Sequence, residues 1–241
     1  EALRAVHGNR LDRPLPDLER YQAEVRRRTS KERADELVRE FELGGGGETT
    51  HFSVVDHDGT VVACTQSLNA YFGAKVMSPE LGVLYNDYMR EFVTDDEDHP
   101  FALRPEGLPY SSMSATVLAK DGRPVLGLGS PGSRRIISAV IQVAHHWATR
   151  GEGVDTAVAA PRLHVVPEDD ALMFERRPTS RDLLRELERR GFHPSIPLSS
   201  LFEGGLNAYF GGVHAVARED GGWAGAADPR RDGAVVVVPA P

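Results

Sequence analysis

The chain predicts a mixed α and β domain in which two sets of strands carry helices on both sides. Three observations lead there. From Thr49 onward the apolar residues follow the short period of strands, interrupted by Asp-Gly turns. In mid-chain Ile136, Ile137, Val140, Ile141, Ala144, Trp147 and Ala148 recur at three- and four-residue spacing, the buried stripe of an amphipathic helix. Further helical and strand signals follow that stripe. Periodicity alone leaves both α/β and α+β open.

Residues 1–43 read as helical, with Pro14-Leu15-Pro16 separating two helices and Thr29 with Glu32 forming a capping-box pattern ahead of Ala34, Leu37, Val38 and Phe41. Gly44 to Gly47 form a pliable linker. Residues 49–56 and 60–69 are β-rich runs joined by His57-Asp58-Gly59, and residues 115–119 and 124–128 are a second pair around Lys120-Asp121-Gly122-Arg123. Between the pairs, residues 94–108 are polar and contain Asp95-Asp96-Glu97-Asp98, read as a solvated loop in preference to a cation site. A short helix is expected after Asp155 and another over residues 179–190, stopped by Gly191. Residues 206–218 and 223–238 read as strands.

Composition narrows the function classes. A chain of 241 residues, 40% hydrophobic and 27% charged, suits one globular domain with a sizeable core. A net charge of −8 argues against a nucleic-acid partner, and basic runs such as Arg26-Arg27-Arg28 and Arg189-Arg190 are interspersed with acids as on solvated helix faces. No apolar run approaches the ~20 residues of a membrane span. Cys64 stands alone, so no intrachain disulfide is possible, and it reads as a structural thiol. His145 and His146 have no carboxylate or cysteine at ligand spacing and read as packing or surface residues, not metal ligands; no metal or cofactor is expected. The chain starts at Glu1 within a helical pattern and without Met, as a piece of a longer precursor would; localisation is therefore undecided on the residues.

The chemistry gathers at Glu48-Thr49-Thr50-His51. A Thr heading a strand straight after a pliable linker stands where a self-cleaving precursor places its nucleophile. Cutting the bond before it leaves hydroxyl and α-amine on one residue, a nucleophile with its own general base. Taken alone, Thr-Thr at a strand start is also an ordinary strand residue pair.

Six ordered pieces extend the signal. They are Thr49-Thr50-His51-Phe52-Ser53-Val54-Val55-Asp56, Asn69-Ala70-Tyr71-Phe72-Gly73, Pro109-Tyr110-Ser111-Ser112-Met113-Ser114, Gly129-Ser130-Pro131-Gly132-Ser133-Arg134-Arg135-Ile136, Ala160-Pro161-Arg162-Leu163-His164 and Ala227-Asp228-Pro229-Arg230. Together they resemble the small subunit of the γ-glutamyltranspeptidases, members of the N-terminal-nucleophile (Ntn) hydrolases. The resemblance implies an α+β fold, the four-layer αββα sandwich of that superfamily. It also implies that residues 1–48 are the C-terminal end of a large-subunit segment and residues 49–241 the catalytic small subunit, cleaved between Glu48 and Thr49. A periplasmic or secreted location follows from the resemblance, with a cytoplasmic one still open.

Site roles follow the same resemblance, position by position. Thr49 is the nucleophile, and Ser67 stands where a Thr hydroxyl bonds its amine. Asn69, Ser111 and Ser112 match residues on the donor's α-carboxylate side. Gly132 and Ser133 match two glycines whose N–H groups form the oxyanion hole; Ser133 is a departure, tolerated if it reaches the needed dihedrals. Arg134 and Arg135 are either helix-start residues or carboxylate partners. Glu91 stands for an Asp that receives the donor's ammonium, and Tyr88 replaces the usual Gln or Glu. Losing one acceptor for a desolvated ammonium costs about 1–3 kcal/mol, enough to weaken γ-glutamyl specificity. The implied activity is hydrolysis or transfer of the acyl group of γ-glutamyl amides, glutathione-like, with the large-subunit segment of the same precursor as partner. Two rivals stand beside it. One is an amidohydrolase of the family with another acyl donor, such as a cephalosporin side chain, poly-γ-glutamate or a small amide. The other is an unprocessed, non-catalytic relative.

Overall fold

A computed structural model of the chain describes residues 47–166, 170–176, 178–196 and 206–238, so the helices expected over residues 1–43 lie outside the described residues. Among these residues the elements run β1 (Gly47–Val55), β2 (Val61–Ala70), β3 (Met77–Ser78), β4 (Val83–Leu84), a 3₁₀ turn (Tyr88–Glu91), β5 (Thr116–Lys120) and β6 (Arg123–Gly129). Then follow α1 (Arg135–Arg150), α2 (Val154–Ala159), β7 (Leu163–Val166), β8 (Ala171–Phe174), α3 (Arg181–Arg189), β9 (His193–Ser195), a second 3₁₀ turn (Ala208–Phe210), β10 (His214–Glu219) and β11 (Gly222–Ala226). They fall into two compact units. Residues 68–109 belong to one; residues 49–67 and the described residues from Tyr110 onward belong to the other.

The larger unit is built on a four-stranded antiparallel sheet in the order β11-β10-β6-β5. Asp121 and Gly122, both at positive φ, turn β5 into β6, as a two-residue hairpin demands. Strand alternation then sorts β6 into two faces. Leu126 and Leu128 point to one side and join Ile136, Ala139, Val140 and Val143 of α1, Val154, Ala157 and Val158 of α2, and Ala215 and Ala217 of β10 in a single buried cluster. Gly127 and Gly129 point to the other side, where the β1–β2 ribbon lies. A Cβ on Gly127 would sit 2.5 Å from Val61 Cγ1, and one on Gly129 would sit 2.3 Å from the His51 ring. Helices, sheet and ribbon thus make three layers. The outer face of the ribbon, with Phe52, Val54 and Val62, is exposed among the described residues. Gly129→Ala is expected to lower the urea midpoint by the equivalent of about 2 kcal/mol, because ring and strand must separate; an unchanged midpoint would show that the ribbon yields freely.

Several expectations need correction. Residues 206–218 are not one strand: Asn207 caps the Ala208–Phe210 turn through Tyr209 N–H (2.8 Å), and regular pairing starts only at His214. Nor do residues 223–238 continue as strand beyond Ala226. The Asp228 carboxylate accepts the N–H groups of Val213 and Arg230, and Pro229 has none to give, so the chain turns there. A third sheet, β7-β8-β9, has antiparallel and parallel pairs and was not legible in the sequence. Its strands are three or four residues long, too short to show a period.

In the smaller unit Asp87 ties the 3₁₀ turn to the end of β2: its N–H reaches Leu68 O (3.1 Å) and its carboxylate accepts the Ala70 N–H (3.0 Å).

Candidate active site

Alternation along β1 puts Thr49, His51 and Ser53 on the inward face of the ribbon, opposite Ser67 and Thr65 of β2. The hydroxyls of Thr49 and Ser67 are 2.8 Å apart. One step along, His51 Nδ1 lies 2.7 Å from Thr65 Oγ1 and its Nε2 lies 2.9 Å from Ser53 Oγ, so both ring nitrogens are engaged by hydroxyls. A neutral ring fits this arrangement, one nitrogen donating and the other accepting. Burial first, and then the nearby His214, push the His51 pKa down to about 4. Glu48, just before Thr49, is exposed, whereas Thr49 is half-buried.

The low His51 pKa has a definite sign. A base whose folded pKa lies below its unfolded value binds fewer protons when folded, so stability is full above about pH 6.5 and is lost as the pH falls toward about 4. The thermal midpoint is expected to fall across that window by the equivalent of about 2 kcal/mol more in the parent than in His51→Gln. Equal slopes would exclude His51 as the titrating group.

A second cluster forms where β6 leads into α1. Ser130, fully buried, bonds Pro131 O (2.6 Å) and accepts the Gly212 N–H (3.0 Å). Gly132 has φ 138°, and a Cβ there would come within 3.1 Å of Gly211 Cα. Ser133 follows at φ 54°, a left-handed conformation that costs a non-glycine residue about 1 kcal/mol. Its carbonyl accepts the Ile136 N–H (3.0 Å) and the Ser112 hydroxyl (2.9 Å). Among the described residues the N–H groups of Gly132 and Ser133 have no acceptor. Two adjacent, unspent N–H groups are what a developing oxyanion requires. Arg135 is the first residue of α1, its Nε donating to Tyr209 O (3.2 Å) with the guanidinium 4.6 Å from that ring, so it braces the loop. Arg134 precedes it, exposed, at the N-cap. Ser111 accepts the Met113 N–H (3.2 Å) in a turn.

In the smaller unit Asn69, at φ 72°, donates from Nδ2 to Glu91 Oε1 (2.8 Å). Tyr88 opens the 3₁₀ turn, its N–H on Asn86 Oδ1 (3.0 Å), and is half-buried. The structure therefore brings together Thr49 with Ser67, Ser112 with Ser133, and Asn69 with Glu91. No cluster of three or more potential metal ligands occurs among the described residues.

Sequence reasoning missed a buried polar frame behind the Gly132 loop. Arg162, Glu175, Asp228 and Arg230 are all under 8% exposed. Arg230 Nε and Nη2 grip the two oxygens of Glu175 at 2.6 Å each, and Arg162 Nη2 meets Asp228 Oδ2 at 2.6 Å. Burial raises the Asp228 pKa, but Arg162 and Arg230 outweigh it and hold the carboxyl below its usual range. Arg162 Nη1 also donates to Phe210 O (3.0 Å), and Glu175 accepts the Asn207 N–H (2.9 Å), fixing the segment that packs on Gly132. Three of these residues lie in the short ordered pieces; Glu175 had no signal of its own.

Residues 17–238 match the family model described as Gamma-glutamyltranspeptidase. The chain is 39% identical over 156 residues to the glutathione hydrolase proenzyme of Escherichia coli (strain K12), covering 60% of this chain and 26% of that protein. It is 31% identical over 221 residues to the acylase ACY 1 proenzyme of Pseudomonas sp. (strain V22), covering 90% and 37%. It also superposes on the γ-glutamyltranspeptidase from Pseudomonas nitroreducens complexed with L-DON, with TM-score 0.64 and 30% identity, over 79% of this chain and 100% of that one. The chain spans between a quarter and two fifths of the length of the two curated relatives. A match over nearly its whole length, on a mixed α and β frame, establishes that the chain belongs to the γ-glutamyltranspeptidase family of Ntn hydrolases.

Proposed function

We propose that this chain carries the catalytic centre of a self-processing enzyme that hydrolyses or transfers the acyl group of γ-glutamyl amides, with Thr49 as nucleophile. The observation that carries the reading is the 2.8 Å pair of Thr49 Oγ1 and Ser67 Oγ, one residue beyond the expected scissile bond. In the precursor, Thr49 Oγ1 attacks the carbonyl carbon of Glu48 and the peptide nitrogen leaves as the Thr49 amine. Water then opens the ester, freeing the Glu48 carboxylate. In the mature enzyme the α-amine, with an ordinary pKa near 8, takes the hydroxyl proton as the oxygen attacks the substrate's acyl carbon. The Gly132 and Ser133 N–H groups receive the oxyanion and the leaving amine takes the proton. Water or an acceptor amine then removes the acyl group from Thr49.

The remaining roles complete the reading. Ser111 and Ser112 serve the donor's carboxylate side, Asn69 its neighbour, and Glu91 the ammonium, with Tyr88 beside it. Residues 1–48 are the end of the large-subunit segment and residues 49–241 the small subunit. That segment is the partner within the precursor, and the fold is the αββα sandwich of the superfamily. Ser67→Ala is expected to slow turnover about tenfold or more through loss of one hydrogen bond to the nucleophile.

The decisive experiment is intact mass with N-terminal sequencing of the full-length protein after incubation, paired with release of p-nitroaniline from its γ-glutamyl derivative. A new terminus at Thr49 together with release supports the reading. A folded, uncleaved and inactive protein would overturn it in favour of a non-catalytic relative. Cleavage with release only from other acyl amides would favour a second reading, an amidohydrolase with a different donor. Tyr88 in place of an acceptor and the likeness to the acylase proenzyme motivate that alternative.

A further inference from the structure

We infer that the adjacent hydroxyls of Ser111 and Ser112 have separate tasks: Ser112 is a positioning residue that clamps Ser133 in its left-handed conformation, while Ser111 is the carboxylate donor. This deepens the proposed function and rests on it for its catalytic consequence. Ser133 carries a Cβ where the conformation favours glycine, with φ 54°, and the residue is exposed. What holds it is its carbonyl. One lone pair takes the Ile136 N–H from the first turn of α1, and the other takes the Ser112 hydroxyl at 2.9 Å, from 21 residues upstream. That is the one side-chain hydrogen bond to the Ser133 backbone among the described residues. Gly132, on the other flank, is hemmed by Gly211, so slack in the loop falls on Ser133.

Proton counting assigns the tasks. A serine hydroxyl has one proton and two lone pairs. Ser112 spends its proton on Ser133 O, so it cannot donate to a bound carboxylate without releasing the clamp. Ser111 accepts from the Met113 N–H, which uses a lone pair and leaves its proton for an anion; the residue is exposed. The clamp thus offsets the absence of a glycine at position 133, and a glycine there would make it dispensable.

A double-mutant cycle in the full-length protein tests this, with γ-glutamyl-p-nitroanilide as donor. S112A is expected to lower kcat about tenfold with KM nearly unchanged. In the S133G background the same substitution should change kcat by less than about threefold, and S112T, which keeps the hydroxyl, should restore most of the kcat that S112A loses. S111A should instead raise KM. A rise in KM alone for S112A, or an equal fall in kcat in both backgrounds, would overturn the inference. Thermal unfolding gives a readout independent of turnover. S112A should lower Tm by about 3 °C in the parent and by under about 1 °C beside S133G; equal shifts would sink the clamp. An enzyme without any turnover defeats the proposed function, and the Tm cycle still decides the clamp.

Discussion

Thr49→Ala is expected to yield one uncleaved chain after prolonged incubation, with turnover of γ-glutamyl-p-nitroanilide reduced at least about 10⁴-fold. On the proposed function the loss is this large because one oxygen performs both bond-forming steps, first on the Glu48 carbonyl and then on the substrate. With no new terminus, the base for the second step is also missing. Thr49→Ser separates oxygen from framework. Ser keeps the hydroxyl but lacks the branch that stiffens χ1 and holds Oγ1 beside Ser67. It should therefore process and turn over, each about tenfold more slowly. Mass spectrometry follows the first quantity and p-nitroaniline release the second. Cleavage before residue 49 in the Ala variant would place the processing nucleophile elsewhere.

How much of this was legible in the sequence depended on the range of the interaction. The β1–β2 and β5–β6 hairpins and α1 were readable because each repeats its own period over seven or more residues or closes through Asp-Gly chemistry. The same alternation puts His51 and Ser53 on the Thr49 face, a signal that was available and unused. The 3₁₀ turn at Tyr209 was not readable, because Asn207 and Glu175, 32 residues apart, fix it through a backbone N–H. Likewise Gly127 and Gly129 look like ordinary strand glycines until the ribbon is seen packed against them. At the site, residue types and order singled out Thr49, Ser67 and the Gly132 loop as candidates. The Ser112 bond depends on a left-handed Ser133, which no local pattern announces.

The same distinction between local and distant contacts governs the largest expected loss of stability. Glu175→Gln should cost about 3–5 kcal/mol, read as a fall in the denaturant midpoint at constant slope. Glu175 is 1% exposed and is surrounded by donors: Arg230 Nε and Nη2, and the N–H groups of Arg162 and Asn207. A glutamine of nearly the same shape keeps one acceptor but turns an NH₂ toward other donors. Among the described residues it also leaves the charge of Arg230 matched only by Asp228, which Arg162 shares. The penalty is thus desolvation left uncompensated rather than lost packing. The Glu186–Arg189 pair supplies the contrast. Its contacts, down to 2.6 Å, are as short, yet both side chains are substantially exposed, so Glu186→Gln should leave the midpoint within error. Because Arg162 and Glu175 also hold the Phe210 and Asn207 backbone behind Gly132, Glu175→Gln should lower kcat even at temperatures where the variant remains folded. Full activity in a folded but destabilised Glu175→Gln protein would show that the frame supports the fold without positioning the loop.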